Sequence, residues 1–115
     1  MSFSVTVKEA GAVTVVTAEG RITIGGGSDA LNKAMNGRLG EGQTRFLLAL
    51  GGVSYMDSAG LGVITGMLAS CMNRGGELKL VTPSLKVRAL LEVTNLWPTF
   101  EVHASEQEGV ASFGG

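Results

Sequence analysis

Phe46-Leu47-Leu48-Ala49-Leu50 is an apolar run without polar interruption, and it restricts the fold more than any other stretch of the chain. A strand covered on one face would alternate apolar and polar residues. One without alternation must be covered on both, as in a parallel sheet lying under helices. At 115 residues the chain can form one compact domain, burying roughly two thirds of its extended surface, but not two. Hydrophobic residues make up 44% and charged residues 17%, which excludes disorder and supplies a core.

The flanking segments fill in the rest. Phe3, Val5 and Val7 alternate with Ser4, Thr6 and Lys8, the period of a half-covered strand. Glu9-Ala10-Gly11 is a tight connection into a second strand, Ala12 to Ala18, and the two form a hairpin. Glu19 to Ile24 carries the chain away, and Gly25-Gly26-Gly27 confers flexibility or close backbone approach. Ser28 or Asp29 then caps a helix with Leu31, Ala34, Met35 and Leu39 at helical spacing, ended by Gly40 to Gly42. After Leu50 the pair Gly51-Gly52 reads as a turn, with Val53 and Met56 making apolar contacts through a loop. Asp57-Ser58 places the serine at or next to a helix N-cap.

That helix shows Leu61, Ile64, Leu68 and Cys71 or Met72 on one stripe, with Val63 and Met67 beside it, and Arg74-Gly75-Gly76 ends it. Glu77 to Val81 is a short strand, and Thr82-Pro83-Ser84 turns it into a helix carrying Leu85, Val87, Leu90 and Leu91. Leu96 to Val102 is an apolar connection or an edge strand, and Ser105 with Glu108 has capping-box spacing for a last helix. The order is β-β-α-β-α-β-α-(β)-α over residues 3–113. It predicts an α/β domain with a mixed sheet of four or five strands, about four helices and right-handed crossovers. Loops at the carboxyl ends of such strands meet on one edge, gathering Thr23 to Ser28, Met56 to Gly62, and Pro83-Ser84.

Several function classes are disfavoured. Nine basic and ten acidic residues leave a net charge of -1 with no cluster of Lys and Arg for direct nucleic-acid contact. Cys71 is the single cysteine; on an apolar helix it reads as core and suggests a reducing, cytoplasmic setting. The first residues alternate instead of forming a signal peptide, and the Ala59 to Met72 pattern is too short to insert in a membrane. His103 is the single histidine and has no matched acid–base partner in sequence, so a catalytic triad is not supported. Neither metal ligation nor a cofactor is indicated, and Gly25 to Gly27 lacks the Lys-Ser/Thr of a nucleotide cradle. Gly60 and Gly62 would each cost about 1 kcal/mol in an ordinary helix, which implies close approach of a partner or of a neighbouring strand. Met56 and Leu61 read either as anchors beside the serine or as core.

Val53-Ser54-Tyr55-Met56-Asp57-Ser58-Ala59-Gly60-Leu61-Gly62 resembles the signature of the STAS domain, the sulphate transporter and anti-sigma factor antagonist family. Glu19-Gly20-Arg21-Ile22, Gly75 to Leu80 and Pro83 to Leu91 extend the resemblance over about residues 3 to 113. It is strongest to the small free-standing antagonists of bacterial partner switching. Thr23 stands where the family often has an acidic residue, Ala49 where Asp is common, and Gly51 where Ser is common.

The missing catalytic constellation and the absence of a long exposed apolar pattern point to a non-enzymatic, cytoplasmic monomer, and the resemblance implies that it binds an anti-sigma factor with GHKL-type serine kinase activity. Phosphorylation of Ser58 would release it, and a serine phosphatase would restore it. It places partner binding on Thr23, Ile24, Gly25, Ser28, Met56, Asp57, Ser58, Ala59, Gly60 and Leu61. The rival readings are a STAS subunit of a membrane transporter or lipid-trafficking ATPase, a scaffold in a signalling assembly and, least supported, a hydrolase using Ser58.

Overall fold

The computed structural model of the protein describes residues 3–114. Strands β1 (Phe3–Ala10) and β2 (Val13–Ile22) precede helix α1 (Gly27–Gly40). Then follow β3 (Arg45–Met56), α2 (Ser58–Asn73), β4 (Glu77–Val81), α3 (Leu85–Val93), a 3-10 turn (Trp97–Thr99), β5 (Val102–His103) and α4 (Glu106–Ala111). The sheet order is β1-β2-β3-β4-β5. β1 is antiparallel to β2, and the other neighbours are parallel. The architecture is thus the expected mixed α/β sheet, with β5 on one edge, β1 on the other, and four helices among the described residues.

The unalternating run is covered on both faces, as its composition requires. Phe46, Leu48 and Leu50 meet Leu31 and Met35 of α1, Ile64 and Cys71 of α2, and Val87 and Leu91 of α3 in the main core. Leu47 points the other way, into a smaller cluster with Val13, Val15, Val81 and Phe113. α4 closes that second face. A Cβ on Gly109 would come within 2.7 Å of Leu47, so glycine lets the short helix lie directly on the sheet.

Two strands run further than their residues suggested. β2 continues past Ala18 to Ile22, and β3 continues through Gly51-Gly52 to Met56, with no turn between. Register shifts fall between Thr17 and Glu19 and between Gly20 and Arg21 of β2. Each admits one additional residue on β3, as in a β-bulge, and this erases the period-two pattern there. Gly52 is a close-approach residue: its Cβ would stand 2.8 Å from the Glu19 side chain. β4 parts from β3 at Ala49; beyond it the Leu50 carbonyl accepts from the Ser84 amide at 3.2 Å, and β2 is the remaining ladder neighbour.

The helices correct three details. α1 is capped by Gly26 without a side-chain bond, not by Ser28 or Asp29. The buried stripe of α2 is Gly60, Ile64, Met67 and Cys71, while Leu61 and Leu68 are half-buried and Met72 is exposed. In α3, Ser84 accepts from the Val87 amide as an N-cap and Val87 and Leu91 are buried, but Leu85 faces solvent. Ser105 accepts from the Glu108 amide at the start of α4, as its spacing indicated. Burial pushes the Cys71 thiol up to about 11, the behaviour of a core residue and not of a reactive thiolate.

Candidate functional site

The loops at the carboxyl ends of β2 and β3 meet at a corner organised by one side chain. Asp57 directly follows β3 in extended conformation and is the N-cap of α2. Its Oδ1 accepts from the Ala59 and Gly60 amides at 2.9 and 3.1 Å. Its Oδ2 accepts from the Ile24 amide at 3.0 Å, and its own N–H donates to the Ile22 carbonyl at 3.2 Å. One residue therefore joins the end of β2, the loop after it and the first turn of α2. The Ile24 N–H first, and the Gly60 and Ala59 amides after it, hold the Asp57 carboxyl below its ordinary value, because a hydrogen-bonded anion resists protonation.

Ser58 is consequently the first helical residue and not the cap, and it is exposed. The carboxylate takes the capping role because its two oxygens serve two segments at once, which a single hydroxyl cannot do. Gly60 beside it is explained by the strand beneath. A Cβ there would lie 2.7 Å from both Cγ2 and the carbonyl oxygen of Ile22 and 2.8 Å from Cγ of Met56. Gly62 has open space around it.

Of the two readings open to Gly25-Gly26-Gly27, flexibility or close backbone approach, the tight β2–α1 loop shows the second. The Thr23 carbonyl accepts from the Gly26 amide, the Ser28 amide and, at 2.8 Å, the Ser28 hydroxyl. Gly25 has φ +77, a left-handed conformation that glycine adopts without strain. A Cβ on Gly27 would collide with the Arg21 carbonyl.

The residues assigned to partner binding divide by depth. Ile24, Gly25 and Ser58 are exposed, Thr23, Asp57, Ala59 and Leu61 are half-buried, and Ser28, Met56 and Gly60 are buried. The buried three shape the corner from within. Two surface features beside it were not anticipated. The Arg21 guanidinium lies 4.8 Å from the centre of the Tyr55 ring, a cross-strand pair that the turn-like Gly51-Gly52 conceals in the sequence. Leu85 and Val93 of α3 are 85% and 79% exposed, and their i, i+8 spacing was available in the sequence.

The STAS domain model matches residues 4–109. The anti-sigma-B factor antagonist of Bacillus subtilis (strain 168) is 38% identical over 63 residues, 55% of this chain and 58% of that protein. The match therefore spans little more than half the relative's length. The crystallised Thermotoga maritima protein TM1081 superposes with a TM-score of 0.87 at 26% identity, covering 95% of this chain and 93% of that one. The anti-sigma factor antagonist SpoIIAA shares the fold in its unphosphorylated form, with a TM-score of 0.82, 20% identity and 95% of each chain covered. In its phosphorylated form the TM-score is 0.77 at 19% identity, over 95% of this chain and 98% of that one. With nearly the whole sequence matched and the five-stranded fold shared, the chain belongs to the STAS domain family.

Proposed function

We propose that this protein, a single STAS domain over residues 3–113, is an anti-sigma factor antagonist switched at Ser58. Unphosphorylated, it binds an anti-sigma factor that is also a GHKL-type serine kinase; phosphorylated, it lets go until a serine phosphatase restores it. It works as a cytoplasmic monomer and is itself no enzyme. The observation that carries this reading is the placement of Ser58, exposed and directly after a cap residue bonded to the β2–α1 loop and to the first turn of its own helix. The name of the Bacillus subtilis relative and the two forms in which SpoIIAA was solved support it.

The chemistry of release follows from Asp57. A phosphate would add about -1.5 to -2 charges at pH 7. A helix N-terminus usually welcomes an anion, but here the Ala59 and Gly60 amides already serve the Asp57 carboxylate. The phosphate must project outward beside a like charge, and a partner closing over it would bury unpaired charge. Fold is retained and the interface is lost.

Incubation with the kinase and ATP, followed by peptide mapping, is expected to place one phosphate on Ser58. Ser58→Ala should bind the anti-sigma factor like the unmodified protein, and Ser58→Asp roughly tenfold or more weakly, read by titration calorimetry. Equal binding of both variants by a verified partner would remove the switch from this residue.

A further inference from the structure

We infer that the outward stripe of α3 is a second, apolar half of the partner's footprint, and that it receives an amphipathic helix of the anti-sigma factor with acidic residues on its flanks. The inference rests on the reading above and deepens it. α3 has nine residues and is apolar on two sides. Val87 and Leu91 face the core, while Leu85, Ala89 and Val93, at i, i+4 and i+8, face solvent. The inner pair suffices to attach the helix. An outer stripe of large apolar side chains adds nothing to folding and is the kind of surface that marks an interface.

This stripe is continuous with the phosphorylation corner. An open cleft of about 260 Å³ lies between α3 and the end of β3, with Ala89, Leu90 and Val93 on one wall and Tyr55 and Met56 on the other. Tyr55 is 43% exposed, and Asp57-Ser58 follow directly in the chain. A groove between a helix and a strand end suits an inserted helix ridge. The rim selects its charge. Lys86 lines the cleft and Arg21 stacks on Tyr55, and neither has a carboxylate partner among the described residues. Arg88 is already paired with Glu92 at 3.0 Å. The uncompensated rim is basic, so the incoming flank is acidic. A second copy of this chain fits poorly, because a two-fold contact sets each patch against itself and would bring the Lys86 side chains together.

Phosphorylation leaves this half untouched, so the two halves contribute separately. In calorimetry with the full chain and its purified anti-sigma factor, Leu85→Gln combined with Val93→Gln should weaken binding roughly tenfold or more. The same factor should appear in the Ser58→Asp background. Lys86→Glu, a surface change that leaves the core alone, should mainly slow association and flatten its salt dependence. Unchanged affinity in the α3 variants while Ser58→Asp still weakens binding would refute the stripe and leave the switch standing. No binding by the unmodified chain would overturn both. A dimer of the unmodified chain in sedimentation that the double variant dissolves would give the stripe to a second copy and overturn the proposal.

Discussion

The Asp57 carboxylate accepts from three backbone N–H groups, and its ionisation therefore decides whether the corner is closed. Its folded pKa lies below the ordinary 3.8. The bonds are thus fully present above that value and are lost as pH falls through the lowered one. In an NMR titration, the Ile24, Ala59 and Gly60 amide resonances should hold steady from neutrality down to about pH 4 and move together below it. Asp57→Asn should abolish that titration. Since an amide offers only one acceptor oxygen, it should also speed exchange of the Ile24 N–H at neutral pH. Ser58 does not enter this balance, which leaves its hydroxyl available to an enzyme without loss of the cap.

At the scale of elements, the two glycines in the first turns of α2 are opposites. Gly60→Ala would drive a methyl into Ile22 and Met56 and is expected to destabilise the fold by about 2 to 3 kcal/mol. Gly62→Ala meets open space and should stabilise it by up to about 1 kcal/mol; urea denaturation of the two variants reads both signs. The sequence contained the helical character of α2 but not this asymmetry, since only the strand beneath distinguishes the positions. Likewise the hairpin, the doubly buried run, the turn at Thr82 to Ser84 and the capping box at Ser105 were legible because each rests on local pattern. The far half of β3 was not. Its bulges break the alternation, and its glycines, chosen for close approach to Glu19 and Thr82, imitate a turn. The position of Ser58 was legible; that Asp57 and not Ser58 fastens the loops depended on Ile24 arriving from another segment.

For the molecule as a whole, the carboxyl-terminal helix is held by a buried cation. Lys79, 6% exposed, donates to the carbonyl and hydroxyl of Ser112 at 3.0 Å and lies 4.4 Å from the Phe113 ring centre. Glu77 and Glu101 balance its charge at 3.2 and 3.1 Å. Lys79→Ala should cost about 2 to 3 kcal/mol in chemical denaturation, with α4 amides exchanging before those of β2 and β3. Binding at the Ser58 corner should survive, because α4 covers the opposite face of the sheet.

Beyond Ala49 β3 keeps β2 as its ladder neighbour while Val53 and Met56 stay buried in the main core, so the serine is held on a corner braced from beneath. On the proposed switch, such a brace lets Ser58 gain charge on an unaltered outline, and the partner would meet a changed potential where the shape is the same.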